Sequence, residues 1–429
     1  MTASAYRLVE PEFWHQPLAP RMAEFAEIRE LGPVLPIDVD NPLVGEVQRF
    51  HALTRFDEVL EVSKKADVFC SGQGATAIFD LPIELLEFFG GFINMDNPRH
   101  AHQRRIVAHR FTPSQLQNVM DSVETICTEV IDGFCEQGEV DLVKVLSQPF
   151  PLLIICDMMG IPRSEFKTVL DATNTILGGG DPEFTDSAGP DEEPNMDLDI
   201  AALINAGVQL DTLMNDLIVE RQANPTDDLT SKLVHNDLDE DMLTPKEITS
   251  FFILLAVAGN DTTRNAITYG VDLLSKNPDQ RKIWMDDIEG VTPTAVEEIV
   301  RASAPVTFMR RTATSDVTLA DYELHEGDRL VMFYGAANRD PRVFDRPEVF
   351  DVRREPNGHV GFGGPGPHFC LGAHLARREV SVVFRELFRR LPDLEVSGDP
   401  VPLESAGIPL VAGIKHLPVT FTPTAPVGS

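Results

Sequence analysis

Apolar and polar positions along this chain change their period in a definite order. Over residues 1 to about 60, short helical and strand signals alternate, and RFHALTRF (49–56) reads as a strand leading into a helix. CSGQGATAIFDLPIELLEFFGGFIN (70–94) reads as a long apolar connection with glycines at both ends, the kind of loop that is functional or mobile. Helical spacing then dominates from about 97 to 302, broken by the acidic, Gly- and Pro-containing stretch 178–197, which reads as a loop between two helices. Short strands follow over about 305–335, with turn signals at Asp321 and Glu326-Gly327. A helix is expected over 371–391 and a β-rich tail over 395–422. The pattern predicts a fold that is mainly α with a small β part, in one large domain spanning 1–429.

Composition narrows the class. A formal charge of −32 repels nucleic acid and anionic membrane alike. The first twenty residues contain no apolar signal-peptide core. The longest strongly apolar run, FFILLAVAG (251–259), is less than half of the roughly 20 residues a membrane span needs. A cytoplasmic protein with no membrane span is therefore expected. Five cysteines without a CxxC pair point to free thiols, and Cys127, Cys135 and Cys156 fall in apolar helical patterns as small core residues.

Four segments carry chemistry. In HVGFGGPGPHFCLGAHLARRE (359–379), Cys370 sits in a Gly/Pro-rich loop immediately before a helix. Backbone N–H groups and a helix N-terminus favour a thiolate there, and Gly364, Gly366 and Gly372 would let the backbone wrap closely around the sulfur. A thiolate of this kind suits an iron centre that cleaves O–O bonds. In FFILLAVAGNDTTRNAITYG (251–270), Gly259, Asp261 and Thr262 interrupt a mostly apolar helix; a buried acid and hydroxyl are costly there unless they have partners or a task. Glu298 and Arg301 share a helix face at i, i+3, a spacing that on its own describes an ordinary surface pair. His100 and Arg104, at i, i+4, could meet an anionic ligand.

Together GFGGPGPHFCLG, AGNDTT (258–263), EIVR (298–301) with ANRDP (337–341) and FDVRR (350–354), and HAHQR (100–104) resemble the cytochrome P450 superfamily of haem-thiolate monooxygenases, over about residues 10–420. The resemblance implies haem b (iron protoporphyrin IX), with Cys370 as the iron ligand. It implies that His100, Arg104, Arg311 and His368 bind the haem propionates, and that Ala258, Gly259, Phe362 and Gly372 flank the macrocycle. It implies a structural triad of Glu298, Arg301 and Arg354, and an acid–alcohol pair, Asp261 and Thr262, that delivers protons to dioxygen. One departure stands out: many members carry Phe seven residues before the cysteine, whereas here Gly363 holds that place and Phe362 is one earlier.

CDMMGIP (156–162), SFFILLAVAGNDTTRNAIT (250–268), PTAVEEIVR (293–301) and MRRTAT (309–314) resemble, more narrowly, actinobacterial ω-hydroxylases of methyl-branched lipids and sterol side chains. That implies insertion of one oxygen atom of O2 into a terminal methyl C–H bond of a methyl-branched (isoprenoid) lipid, fatty acid or sterol side chain. Phe92, Ile93, Met95, Leu255, Val306, Phe308 and Leu410 are candidate substrate-lining residues. No dinucleotide fingerprint is present, so electrons are expected from a ferredoxin and its NAD(P)H-driven reductase, docking on Arg377, Arg378, Arg385, Arg389 and Arg390, opposed only by Glu379 and Glu386. Two alternatives remain at this point: a hydroxylase of a terpene or macrolide in secondary metabolism, and a non-catalytic haem protein that binds lipid or gas.

Overall fold

The computed structural model describes residues 7–428 apart from 42–44, 112–116, 179–180, 182, 185–195, 236–241 and 406. Most of the 178–197 break thus lies outside the described residues. The N-terminal third supplies β1 (Leu35–Asn41), β2 (Glu46–Leu53), α1 (Phe56–Lys64) and β3 (Phe69–Cys70). A helix, α2 (Ile83–Gly90), follows where a loop was expected. The apolar IELLEFFG was masked by flanking glycines, but Pro82 at the N-cap starts a helix and Gly91, at φ +48°, ends it.

The helical bulk is α3 (Arg99–Arg110), α4 (Gln117–Asp132), α5 (Pro149–Met159), α6 (Phe166–Leu177), α7 (Met196–Ala223), α8 (Pro245–Lys276) and α9 (Ile288–Ser303). The 32-residue α8 is the central rod, about 48 Å long at 1.5 Å per residue. It begins with a capping box: the Glu247 N–H donates to the Thr244 hydroxyl at 3.3 Å, and the Thr244 N–H donates to the Glu247 carboxylate at 2.8 Å.

Four further strands and a last long helix complete the frame: β4 (Phe308–Ala313), β5 (Val317–Leu319), β6 (Tyr322–Leu324), β7 (Arg329–Phe333) and α10 (Ala373–Arg390). The main sheet has the order β1-β2-β7-β4-β3, with β2 and β7 parallel and the other pairs antiparallel. The β5–β6 hairpin turns at Ala320 and Asp321, both at positive φ, which matches the strand twist. In the tail, Pro418–Thr420 pairs with both Glu139–Asp141 and Glu395–Val396.

The largest core joins α4, α5, α8, α9 and α10. Trp284 stacks on Phe384 at 5.0 Å between centroids and meets Phe388 edge-on at 5.1 Å. This core clamps α8 against α10, so the AGNDTT segment and the helix after Cys370 belong to one packed body. Gly270 marks the contact, since a Cβ there would lie 2.5 Å from the Phe384 ring. Among the described residues, no helix is long and apolar enough to cross a membrane.

Candidate active site

The cysteine loop hangs from a buried charged anchor. Glu298 and Arg301, on α9, are 0% and 1% exposed. Arg301 makes a two-pronged contact with the Glu298 carboxylate at 2.7 and 2.8 Å and donates to the Asn338 and Pro347 carbonyls, both at 2.9 Å. Arg354 Nε reaches the same carboxylate at 3.1 Å, and the Asp351 N–H donates to it at 2.9 Å. Asn338 carries the support onward: its side-chain oxygen accepts from the Val360 N–H at 2.8 Å, at the start of the loop. What spacing alone would make a surface pair is an interior joint.

The loop glycines serve packing more than the sulfur. A Cβ on Gly364 or Gly366 would lie 2.6 or 2.2 Å from Ser63 of α1, so these two residues let the loop lie flat on that helix. Gly372, by contrast, would meet no protein atom within 4 Å. It caps α10, and its N–H hydrogen-bonds the Cys370 sulfur. Gly363 takes φ +84°, which a Phe would occupy only with strain. This resolves the displaced phenylalanine: the turn falls at Gly363, and the Phe362 carbonyl accepts from the Cys370 N–H at 3.0 Å. The Phe362 ring stays on the cavity wall beneath the Arg377 guanidinium, 4.4 Å from its centroid.

Cys370 opens onto an internal cavity while protein encloses it on every other side. Desolvation raises its thiol pKa; the Gly372 N–H and the Arg104 and Arg377 guanidiniums pull it back. Such a group becomes a thiolate readily only beside a cation or a metal.

Four cationic or basic side chains from three places in the chain, α3, β4 and the cysteine loop, meet beside it. The His100 and His368 rings lie 4.1 Å apart. Arg104 donates to the Phe369 carbonyl, and Arg311, on β4, donates to the Arg310 carbonyl at 2.7 Å. Burial and then the neighbouring Arg104 push His100 down to about 4; burial, Arg311, His100 and Arg104 push His368 to about 2. The carboxylate that reaches His100 and Arg311 electrostatically, Asp96, is already held by the N–H groups of Ser71 and Gly72 at 2.8 Å. Nε2 of His100 is buried without a hydrogen-bond partner. A positive cluster short of anions, next to a thiol, fits a flat ligand that brings carboxylates to one edge and a metal to its centre.

Opposite Cys370, α8 presents Leu255, Ala258, Gly259 and Thr262 to the cavity, and the Thr262 hydroxyl donates to the Ala258 carbonyl at 2.7 Å. Asp261 points away from the cavity and lies buried, with Oδ1 3.4 Å from Nη1 of Arg264. Burial raises its pKa and Arg264 opposes the rise.

Of the expected substrate-lining residues, Phe92, Ile93, Leu255 and Val306 line the cavity. Three do not. The Met95 side chain is buried in a neighbouring core, and the Met95 backbone bonds the His368 ring. Phe308 packs against Phe333 on the far side of β4, and Leu410 packs on the N-terminal core. The cause is strand alternation: Met309 and Arg311 face the cavity, so Phe308 cannot. Phe251, Leu254 and Met309 are lining residues that sequence reading missed. A step of four back from Leu255 and from Ala258, and a two-residue step back from Arg311, would have found them. Glu379, taken from the sequence as a foil to the arginine cluster, is instead 2% exposed on the cavity wall.

The arginine cluster is not a free basic face. Arg377 pairs with Glu297 at 2.5 Å, Arg378 and Arg385 with Glu124 at 2.5 and 2.7 Å, Arg389 with Glu386 and Glu289, and Arg390 with Asp132. Apart from Glu386 on α10 itself, these acids come from α4 and α9, which a reading along one helix does not see.

A thiol under a mainly helical fold, with a cation-lined edge and a hydroxyl-bearing helix opposite, defines a haem-thiolate protein. The comparisons agree. The Cytochrome P450 family model matches residues 48–411, and the chain belongs to that family, whose members are monooxygenases built on a haem iron and fed by redox partners. It is 42% identical over 417 residues to the methyl-branched lipid omega-hydroxylase of Mycobacterium tuberculosis, covering 96% of this chain and 93% of that one. It is 34% identical over 404 residues to the steroid C26-monooxygenase of Mycolicibacterium smegmatis, covering 93% and 90%. The Mycobacterium marinum cytochrome P450 CYP268A2 in complex with pseudoionone superposes with a TM-score of 0.86 at 36% identity, covering 96% of this chain and 97% of that one.

Proposed function

We propose that this enzyme hydroxylates the terminal methyl of a methyl-branched lipid, fatty acid or sterol side chain. The observation that carries the reading is the cavity wall facing Cys370. There Phe92, Ile93, Phe251, Leu254, Leu255, Val306 and Met309 form an apolar surface, and the two α8 hydroxyls among them, Thr262 and Thr263, are already engaged with the Ala258 carbonyl and the Glu379 carboxyl. Such a wall offers no polar anchor to a headgroup, so a substrate enters by its hydrocarbon end. The names of the two relatives above, a branched-lipid ω-hydroxylase and a steroid C26-monooxygenase, support the same substrate class.

The cofactor is haem b, held by Cys370 with His100, Arg104, Arg311 and His368 about its carboxylates. When bound, it supplies the activation of O2. The chain's own residues do the rest. The apolar wall orients the chain end and excludes water. Thr262 and Asp261 hold and pass protons, with the Thr262 hydroxyl inside the cavity and the Asp261 carboxyl behind it. Electrons arrive from a ferredoxin and its reductase.

A panel of branched fatty acids, cholestenone and terpenes tests the substrate class through spectral shift and product position. Terminal hydroxylation of branched chains is expected; hydroxylation confined to terpene rings contradicts the reading. Thr262→Ala is expected to bind substrate but to divert reducing equivalents to peroxide, and full coupling in that variant would remove the relay assignment.

A further inference from the structure

Behind the cavity, α8 carries buried polar side chains at strict four-residue spacing: Asn260, Arg264, Thr268 and Asp272, ending at Lys276. The first four are 0, 2, 0 and 4% exposed, whereas the Lys276 side chain is 59% exposed. At 1.5 Å per residue the ridge is about 24 Å long. Asp261 lies against its inner end through Arg264.

Parts of the ridge are satisfied. The Thr268 hydroxyl donates to the Arg264 carbonyl at 2.8 Å, and Lys276 Nζ donates to Asp272 Oδ2 at 2.7 Å. Others are not: Oδ1 and Nδ2 of Asn260, Nε of Arg264 and Oδ1 of Asp272 have no hydrogen-bond partner among the described residues. Leaving such an atom dry forfeits the hydrogen bond it would make in water without a replacement. Leucine or alanine at these positions would form a better helix and avoid that cost. Buried polar atoms of this kind are met by ordered water.

We propose that this ridge holds a file of waters that carries protons from the surface at Lys276 to Asp261. The proposal rests on Asp261 and Thr262 acting as the proton relay. Asp261 gives a proton toward Thr262 and takes one from the adjacent water, the file refills that water by successive hops, and no electrons move. Asn260 and Asp272 are positioning residues that pin waters; Arg264 pins one by its free Nε and releases no proton itself.

The test uses the haem-loaded enzyme with ferredoxin, reductase and the best substrate of the panel. Asn260→Leu is expected to keep the thiolate carbon monoxide band and substrate affinity, to lose severalfold in product formed per NADH, and to show a larger solvent deuterium isotope effect. Asn260→Ser, which leaves room and partners for water, is expected to retain coupling. A crystal structure of the wild type is expected to show water on Asn260 and on Nε of Arg264. Unchanged coupling in Asn260→Leu, or an Asn260 bonded only to protein, overturns the proposal. If Thr262→Ala and Asp261→Asn uncouple while Asn260→Leu does not, the ridge fails and the relay stands. If Thr262→Ala stays coupled, both fail. Should Asn260→Leu not fold, the crystallographic waters and Asp272→Leu, with the same expected loss of coupling, decide the matter.

Discussion

Glu379 shows what a single residue hides in a linear reading. In ARREV it stands among charges and reads as one more surface acid. In the fold its carboxyl accepts from the Thr263 hydroxyl and faces the cavity. Burial lifts its pKa from 4.5 to about 8, with Thr263 opposing. An acid whose folded pKa is raised binds more protons folded than unfolded between those values. Its contribution to stability is therefore whole below about pH 4.5 and is lost as the pH rises through 8. Denaturant unfolding at pH 5.5 and pH 8 should show the wild type weaker at the higher pH and Glu379→Gln with a flatter dependence; an equal slope in both proteins would contradict this. Cys370 was legible as a residue because a thiol in a Gly/Pro loop before a helix has few other uses. Asn260 was not, since an amide inside an apolar helix declares nothing until its partners can be counted.

At the scale of elements, helix periodicity located α8, α9 and α10 because their apolar faces repeat over several turns. It missed α2, an eight-residue helix too short to show a repeat between glycine-rich flanks. Strand alternation was available but unused: choosing Arg311 for the cavity already selects Met309 and rejects Phe308. The Glu298–Arg301 pair is the opposite case, because i, i+3 spacing cannot distinguish a solvated pair from a buried one. Here four residues, Arg301, Asp351, Arg354 and Asn357, donate to one carboxylate, and with Asn338 bridging to Val360 they tie α9 to the cysteine loop. Removing one partner strands a buried charge, so Glu298→Ala should lose about 3–5 kcal/mol and much of its haem. Chemical denaturation and the ratio of haem to protein absorbance measure both. A loss below about 1 kcal/mol, the range of a surface pair, would contradict the burial argument.

Over the whole molecule, the charge of −32 leaves few cations free. The arginines of α10 are met by acids from other elements, and Glu124 alone holds both Arg378 and Arg385. Electrostatic steering of an acidic ferredoxin toward this face is therefore damped in the wild type. Glu124→Gln should uncover the Arg378 guanidinium and leave Arg385 only its longer contact to Glu386, speed the first electron transfer severalfold at low ionic strength, and steepen its salt dependence. Stopped-flow reduction against salt concentration checks this, and an unchanged rate would place docking elsewhere. Charge balance of this kind depends on which elements pack together, which is why a reading along a single helix overstates the free basic charge of α10.

The proposed bond between the Cys370 sulfur and the haem iron is the feature around which every other residue of the site is arranged. The most direct measurement is the carbon monoxide difference spectrum of the reduced, haem-loaded protein and of Cys370→His. The wild type is predicted to show the strongly red-shifted Soret band of a thiolate-ligated haem, and the variant to lose it while still binding haem. Persistence of that band without the thiol would contradict the assignment of this site.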